Sequence, residues 1–262
     1  MSRSLLNSLA RRRARRTSRI KRYDWRLLGV LPMWVLVAFF ASRAIVEVVV
    51  GIVIMAGVDM ASIGSIEVLQ TILSAIVYML TLGIVIGGPL LVYKQQPTRD
   101  ILGLQRLMSW SDIGLAPIVY IAYILTLLGV LGVVTALFPE FQSDQAQDIG
   151  FKNLSSQGGY VLAFVTLVVI APIAEEVLFR GYLYGKLREY VPLWAAAVAT
   201  SLLFGIVHGQ WNVAIDTFVL SLFLCGLREL TGSIWSGVLV HMLKNSIAFY
   251  IMFLAPFTAM GG

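Results

Sequence analysis

Seven stretches of this 262-residue chain are apolar enough to be considered as helices that cross a membrane. Crossing the hydrocarbon core of a bilayer as a helix takes about 20 mostly apolar residues. The stretches run over residues 28–56, 68–93, 113–138, 160–183, 192–208, 213–227 and 234–256. We therefore predict an all-α polytopic transmembrane helix bundle with about seven spans. Six to eight remain possible, because the first stretch is long and the sixth is short.

Composition supports a bilayer environment. The chain is 58% hydrophobic and 13% charged, whereas about a quarter of the residues in an ordinary soluble domain are charged. A soluble protein of this size would have to expose much of that apolar surface. A bilayer core accepts apolar side chains and requires only that backbone hydrogen bonds be made internally. The single cysteine, Cys225, excludes an internal disulfide framework.

Positive charge is concentrated at the N-terminus, where the first 26 residues hold ten of the twenty Lys and Arg residues. Such a run can bind nucleic acid, but next to a long apolar stretch it is more typical of a tail that contacts anionic lipid headgroups. We predict a basic cytoplasmic tail over residues 1–26, a single transmembrane domain over 27–262, and no nucleic-acid partner. The first apolar stretch is too long for a cleaved signal peptide.

Loop charges predict an orientation in the membrane. Positive residues follow the second, fourth and sixth stretches, whereas the loop after the third is acidic, with Glu140, Asp144 and Asp148 against Lys152. Under the positive-inside rule, this alternation places the N-terminus in the cytoplasm, with the plasma membrane as the location if the source is prokaryotic. Residues 98–112 mix apolar and charged side chains, which predicts a short helix lying at the membrane surface.

Ionisable residues inside the apolar stretches are the candidates for chemistry. Because such groups are unfavourable at membrane depth, they usually face the interior of a bundle or a water-filled cavity. Glu176 and Arg180 are four residues apart, the favourable order for a helical ion pair. Glu175 points about 100° away from Glu176 around the helix. We therefore expect Arg180 to neutralise one carboxylate and to leave the other free.

The two histidines of the chain, His208 and His241, both lie in apolar stretches. His241 and Asn245 are four residues apart and should share a helical face. A helical hairpin turning at about residues 190–192 would bring His208 back to the depth of Glu175. Each feature also has a purely structural explanation. A buried ion pair can fix packing, and a polar side chain in a transmembrane helix commonly bonds a neighbouring helix.

Three segments taken together resemble the signature of the CAAX prenyl protease and bacteriocin-processing family. They are Glu-Glu-Val-Leu-Phe-Arg at 175–180, Phe-Gly-Ile-Val-His at 204–208 and His-Met-Leu-Lys-Asn at 241–245. The family motifs are Glu-Glu-x-x-x-Arg, Phe-x-x-x-His and His-x-x-x-Asn, in that order. The resemblance covers about residues 160–250, which would hold the catalytic core.

This resemblance implies an intramembrane endopeptidase that hydrolyses a peptide bond near the membrane. It implies that Glu175 activates a water molecule that His208 helps to hold, and that His241 and Asn245 stabilise the oxyanion. Glu176 would pair with Arg180 and orient the helix. The implied substrate is a peptide or membrane protein, and eukaryotic relatives cut prenylated C-terminal tripeptides.

Two questions stay open at this stage. We expect no metal cofactor, but zinc held by Glu175, His208 and His241 is an alternative. The usual His-Glu-x-x-His zinc motif is absent from the sequence. A non-catalytic membrane factor, acting in bacteriocin self-immunity or as a chaperone, is the second functional hypothesis. A proton-coupled transporter is less favoured, because its expected internal repeats are not found.

Overall fold

The computed structural model describes residues 23–93, 98–143, 145, 154 and 156–255, and regular secondary structure within these residues is entirely helical. The helices are α1 (Leu27–Met55), α2 (Met60–Ile63), α3 (Ile66–Tyr93), α4 (Arg99–Leu102), α5 (Trp110–Leu137), α6 (Gln157–Tyr190), α7 (Leu193–Ile206), α8 (Trp211–Thr231) and α9 (Trp235–Leu254). Most of the predicted basic tail, together with Lys94, Asp144, Asp148 and Lys152, lies outside the described residues.

The predicted transmembrane helix bundle is confirmed. Each of the seven apolar stretches is helical, and five helices in the described part of the chain are long and apolar enough to cross a membrane: α1, α3, α5, α6 and α9. Helix α7 has 14 residues and is therefore about 21 Å long, shorter than a hydrocarbon core of about 30 Å. It packs along α8, which is long enough but carries several charged residues.

The predicted surface helix over residues 98–112 is wrong beyond its first turn. Arg99–Leu102 is helical, and Gly103 ends that turn with a φ of 72°, a left-handed conformation that glycine adopts readily. Residues 103–109 are not helical, and α5 begins at Trp110. The buried guanidinium of Arg228 donates to the carbonyls of Asp100 and Ile101 at 2.7 and 2.9 Å. These long-range bonds hold α4 against the end of α8. The structure of this segment therefore depends on contacts with α8 as well as on the helix propensity of its own residues.

Helix α4 also packs closely against α6 at two glycines. A Cβ atom at Gly181 would lie 2.8 Å from the carbonyl oxygen of Leu102, and one at Gly185 would collide with the carbonyl of Ile101. Only a residue without a side chain allows the backbones to approach this closely. The contact begins immediately after Arg180 and so fixes the part of α6 that follows Glu175 and Glu176.

Helix α6 changes its winding where the acidic residues lie. It is π-helical over Val165–Ile170 and again over Glu176–Leu183, with an α-helical segment at Ala171–Glu175 between them. Single π-helical turns are often found at functional sites. The chain then turns between Tyr190 and Leu193, as the predicted hairpin requires, and α7 runs back along α6.

Candidate active site

A cavity of about 370 Å³ lies within the bundle and is lined by residues from α1, α3, α6, α7, α8 and α9 and from the turn after α7. Four of the predicted site residues line it: Glu175, His208, His241 and Asn245. The remaining two, Glu176 and Arg180, are fully buried in α6. The helices thus bring residues from three separate segments of the sequence to one place.

The predicted ion pair between Glu176 and Arg180 is present. Arg180 Nη1 lies 2.7 Å from Glu176 Oε1, and both side chains are completely buried. The guanidinium also lies 4.3 Å from the centre of the Phe204 ring on α7, a distance at which a cation is attracted to the ring face. Arg180 therefore both neutralises Glu176 and ties α6 to α7.

Glu175 is not bonded to Arg180, as predicted, but its carboxylate is not without a partner. The hydroxyl of Tyr78 on α3 donates to Glu175 Oε1 at 2.7 Å. The other oxygen, Oε2, lies 3.7 Å from His241 Nε2. Sequence reasoning missed Tyr78. Its position within an uncharged apolar stretch was a usable signal, because a buried tyrosine hydroxyl usually finds a hydrogen-bond partner.

His241 lies between the two carboxylates. Its Nδ1 is 3.1 Å from Glu176 Oε1, the same oxygen that Arg180 contacts. Its imidazole also packs edge-on against Phe204, with ring centres 5.8 Å apart. Glu176 and Phe204 therefore fix the orientation of the ring, and Nε2 is directed toward Glu175.

His208 lies in the turn that follows α7. Its Nδ1 is 2.6 Å from the carbonyl oxygen of Phe204, which is consistent with an Nδ1–H donor. The ring also packs edge-on against Phe204, at 5.0 Å between ring centres. Gly209, with a φ of 69°, then turns the chain toward α8. The spacing of four residues in the Phe-x-x-x-His segment thus serves to hold the imidazole at the cavity.

Asn245 lies one turn beyond His241 on α9 and lines the same cavity, as their spacing predicted. Its Nδ2 donates to the carbonyl oxygen of Leu167 at 2.8 Å. Leu167 belongs to the first π-helical segment of α6. One amide hydrogen therefore connects α9 to α6, and an amide NH₂ group has a second hydrogen to donate.

A second ion pair lies at the cavity, and sequence reasoning did not identify it. Lys244 Nζ is 3.2 Å from Asp216 Oδ2 on α8, and Tyr123 on α5 donates to the other oxygen of Asp216. Through these contacts Asp216 connects α5, α8 and α9. Lys244 also lines the cavity, where it contributes an ammonium group.

The side chains that could bind zinc do not form a ligand set in this structure. Within residues 23–93, 98–143 and 156–255, no three His, Cys, Asp or Glu side chains come together as a metal site would require. Glu175, His208 and His241 line the same cavity, but their side chains do not form such a group. One oxygen of Glu175 is bonded to Tyr78 instead.

Outside the cavity, a charged pair fixes the start of α5. The Asp112 carboxylate accepts two hydrogen bonds from the Arg106 guanidinium, at 2.5 and 2.7 Å. These bonds raise the pKa of Arg106, because they favour its charged form. Asp112 also accepts from Ser236 on α9, so this pair holds the beginning of α9 next to α5.

Comparison with known proteins finds a family match over one part of the chain. Residues 157–247 match the family model described as type II CAAX prenyl endopeptidase Rce1-like. An uncharacterised 24.3 kDa Escherichia coli protein is 36% identical over 89 residues, covering 31% of this chain and 40% of that protein. A Bacillus subtilis (strain 168) protein named "Putative membrane peptidase YdiL" is 28% identical over 95 residues, covering 36% of this chain and 38% of its own length.

The chain thus aligns with about two fifths of the length of each curated relative. No solved structure matches it significantly. The family-matched segment begins with α6 and ends within α9, and it contains Glu175, Glu176, Arg180, His208, His241 and Asn245. Over residues 157–247, the chain is therefore similar to the Rce1-like type II CAAX prenyl endopeptidase family.

Proposed function

We propose that this membrane protein is an intramembrane endopeptidase that uses Glu175 as its general base. The observation that carries the proposal is the cavity inside the helix bundle, where a carboxylate, two imidazoles and an amide meet. A carboxylate and neighbouring donors in a site shielded from bulk water are the groups that peptide hydrolysis requires. The family match over residues 157–247 independently supports the same class of reaction.

In the proposed reaction, Glu175 removes a proton from a water molecule that His208 helps to hold. The oxygen of that water forms a bond to the carbonyl carbon of the substrate, and the carbonyl oxygen becomes an oxyanion. When the tetrahedral intermediate collapses, the carbon–nitrogen bond breaks. Glu175 then returns its proton to the leaving amine, so that the carboxylate is regenerated for the next cycle.

His241 and Asn245 are proposed to stabilise the oxyanion. Asn245 would donate its second amide hydrogen, since the first is bonded to Leu167. His241 directs Nδ1 at Glu176, so a hydrogen bond from Nε2 to an oxyanion requires the doubly protonated ring. Removing a single donor of this kind typically slows catalysis about 10²–10³-fold. Glu176 and Arg180 would act by holding His241 and α6 in place.

The lining of the cavity supports a substrate that lies in or against the membrane. Helix α1 contributes three apolar side chains to this lining, those of Val35, Leu36 and Phe39. This surface suits an apolar peptide segment or a peptide that carries a hydrocarbon chain, such as a prenyl group. We therefore propose a peptide or membrane-protein substrate, including prenylated ones, and a catalytic mechanism that needs no metal.

We further propose that the N-terminus is cytoplasmic and, if the source is prokaryotic, that the protein is in the plasma membrane. The support is the distribution of Lys and Arg among the loops, together with the basic run at residues 3–26. The same orientation places the acidic segment that follows α5 outside the cytoplasm.

Substrates can be found by comparing the peptide termini of cells that carry either the native protein or its Glu175→Ala variant at equal abundance. The proposal expects new termini, from membrane-associated proteins, that are present only with the native protein. Identical terminal profiles, combined with a phenotype that the Glu175→Ala variant fully restores in a deletion strain, would instead indicate a non-catalytic membrane factor.

A further inference from the structure

Helix α3 lies outside the family-matched segment, yet it supplies the closest hydrogen-bond partner of Glu175. Tyr78 and Glu175 are 97 residues apart in the sequence, and both line the cavity. Their oxygens are separated by 2.7 Å, a distance typical of a hydroxyl that donates to an ionised carboxylate. The bond therefore reaches the proposed base from a part of the chain to which no role has been assigned.

The two oxygens of Glu175 have different surroundings as a result. Oε1 accepts the proton of Tyr78, whereas Oε2 faces His241 Nε2 at 3.7 Å, beyond hydrogen-bond distance. A glutamate has three side-chain torsions, so an unrestrained carboxylate could exchange its two oxygens. A tyrosine ring packed in a helix bundle is a rigid donor, and its bond to Oε1 opposes that exchange.

From this geometry we propose that Tyr78 is a positioning residue for the general base. By donating to Oε1, it leaves Oε2 as the oxygen that accepts the proton of the attacking water. One O–H bond of water breaks, the proton moves to Oε2, and the electron pair forms the bond to the substrate carbonyl carbon. This inference rests on the proposed function, because it assigns to Tyr78 the orientation of the base in that same reaction.

Position matters because proton transfer is sensitive to distance and direction. A reacting group displaced by about 1 Å can lose about 10² in rate. Among the described residues, no hydrogen bond or ion pair joins Oε1 to another polar side chain of the cavity, such as His208, His241 or Lys244. Loss of the Tyr78 hydroxyl would therefore release this oxygen without a substitute from the protein.

The Tyr78→Phe variant tests the inference because it removes only the hydroxyl and keeps the ring. We expect kcat to fall about ten- to a hundredfold, the range that corresponds to a hydrogen bond to a charged group, while KM stays close to the native value. The activity probe is a synthetic peptide that spans a cleavage site found by the comparison of peptide termini. Native kcat in Tyr78→Phe, with Glu175→Gln inactive, would overturn the inference and leave the proposed function intact.

Tyr184→Phe is the matched control. The hydroxyl of Tyr184 also donates to a carboxylate, that of Glu229 at 3.0 Å, but neither residue lines the cavity. The control should keep native kcat and KM. An equal fall in kcat in both variants would mean that loss of any tyrosine hydroxyl bonded to a carboxylate lowers activity, and it would overturn a specific role for Tyr78.

Infrared spectroscopy gives a test that is independent of catalysis. In protein with ¹³C-labelled glutamate, the carboxylate band of Glu175 is the band that disappears in Glu175→Gln. We expect this band to shift in Tyr78→Phe and to stay in place in Tyr184→Phe. An unshifted band in Tyr78→Phe would contradict the inference. If Glu175→Gln were fully active, the proposed function would fail whatever the infrared result.

A second substitution covers the case in which Tyr78→Phe does not fold. Replacing Tyr78 with 3-fluorotyrosine keeps the ring and the hydroxyl but makes the hydroxyl a stronger donor. The carboxylate band of Glu175 should then shift in the direction opposite to that expected on loss of the bond. A band at the native position would overturn the inference.

Discussion

His241 Nδ1 lies 3.1 Å from Glu176 Oε1, the carboxylate oxygen that also contacts Arg180. Through this shared oxygen, a buried ion pair on α6 fixes the imidazole on α9. Glu175, the neighbouring residue in the sequence, instead faces the cavity with its carboxylate. Two adjacent acidic residues thus have different surroundings, which suggests that one serves structure and the other chemistry.

The structural role of the pair predicts a large loss of stability in Arg180→Ala. This variant leaves the carboxylate of Glu176 buried without its cation, which typically lowers the free energy of unfolding by about 3–5 kcal/mol. Thermal melting in detergent should show a marked fall in melting temperature. Lys186→Ala, which breaks a partly exposed pair with Glu189, should cost about 1 kcal/mol or less. Equal losses in the two variants would contradict this assignment.

Asn245→Ala should lower kcat about 10²–10³-fold with little change in KM. The reason is that a donor to the oxyanion acts mainly in the transition state. Steady-state kinetics on the synthetic peptide measures both constants. Ser246→Ala is the control, because the hydroxyl of Ser246 donates within α9, to the carbonyl of Met242. A rise in KM alone in Asn245→Ala would show instead that this residue contributes to ground-state binding.

Local contacts of the site could be predicted from the sequence, whereas long-range ones could not. The Glu176–Arg180 pair and the shared face of His241 and Asn245 follow from a spacing of four residues on a helix. The Tyr78–Glu175 bond joins residues 97 positions apart, and no local pattern specifies it. Long-range packing also explains why α4 ends after one turn, since the carbonyls of Asp100 and Ile101 bond to Arg228.

A metal-independent reaction predicts that purified, active protein contains far less than one zinc ion per chain, and that chelators leave its activity unchanged. The reason is that the proposed reaction assigns the activation of water to Glu175 with His208, and the stabilisation of the oxyanion to His241 with Asn245, an amide donor. Elemental analysis of the purified protein is the measurement. One zinc per chain, lost together with activity in His208→Ala, would show that the mechanism is metal-dependent.

The proposed orientation predicts which loops can be labelled from outside the cell. In a Cys225→Ala background, a cysteine at position 140, after α5, should react with an impermeant maleimide on intact cells. A cysteine at position 99, at the start of α4, should react only after the membrane is permeabilised. Both positions are exposed in the structure. The opposite pattern would reverse the proposed topology.

The central claim is that Glu175 is the general base of a peptide hydrolase, and the Glu175→Gln variant tests it most directly. Glutamine keeps the size of the side chain and an oxygen that can accept from Tyr78, so the melting temperature in detergent should stay near the native value. The measurement is the cleavage rate of the synthetic peptide by purified native and variant protein. Because a general base typically contributes about 10²–10⁴-fold, we predict a loss of that size in kcat. Cleavage by folded Glu175→Gln at the native rate would contradict the claim.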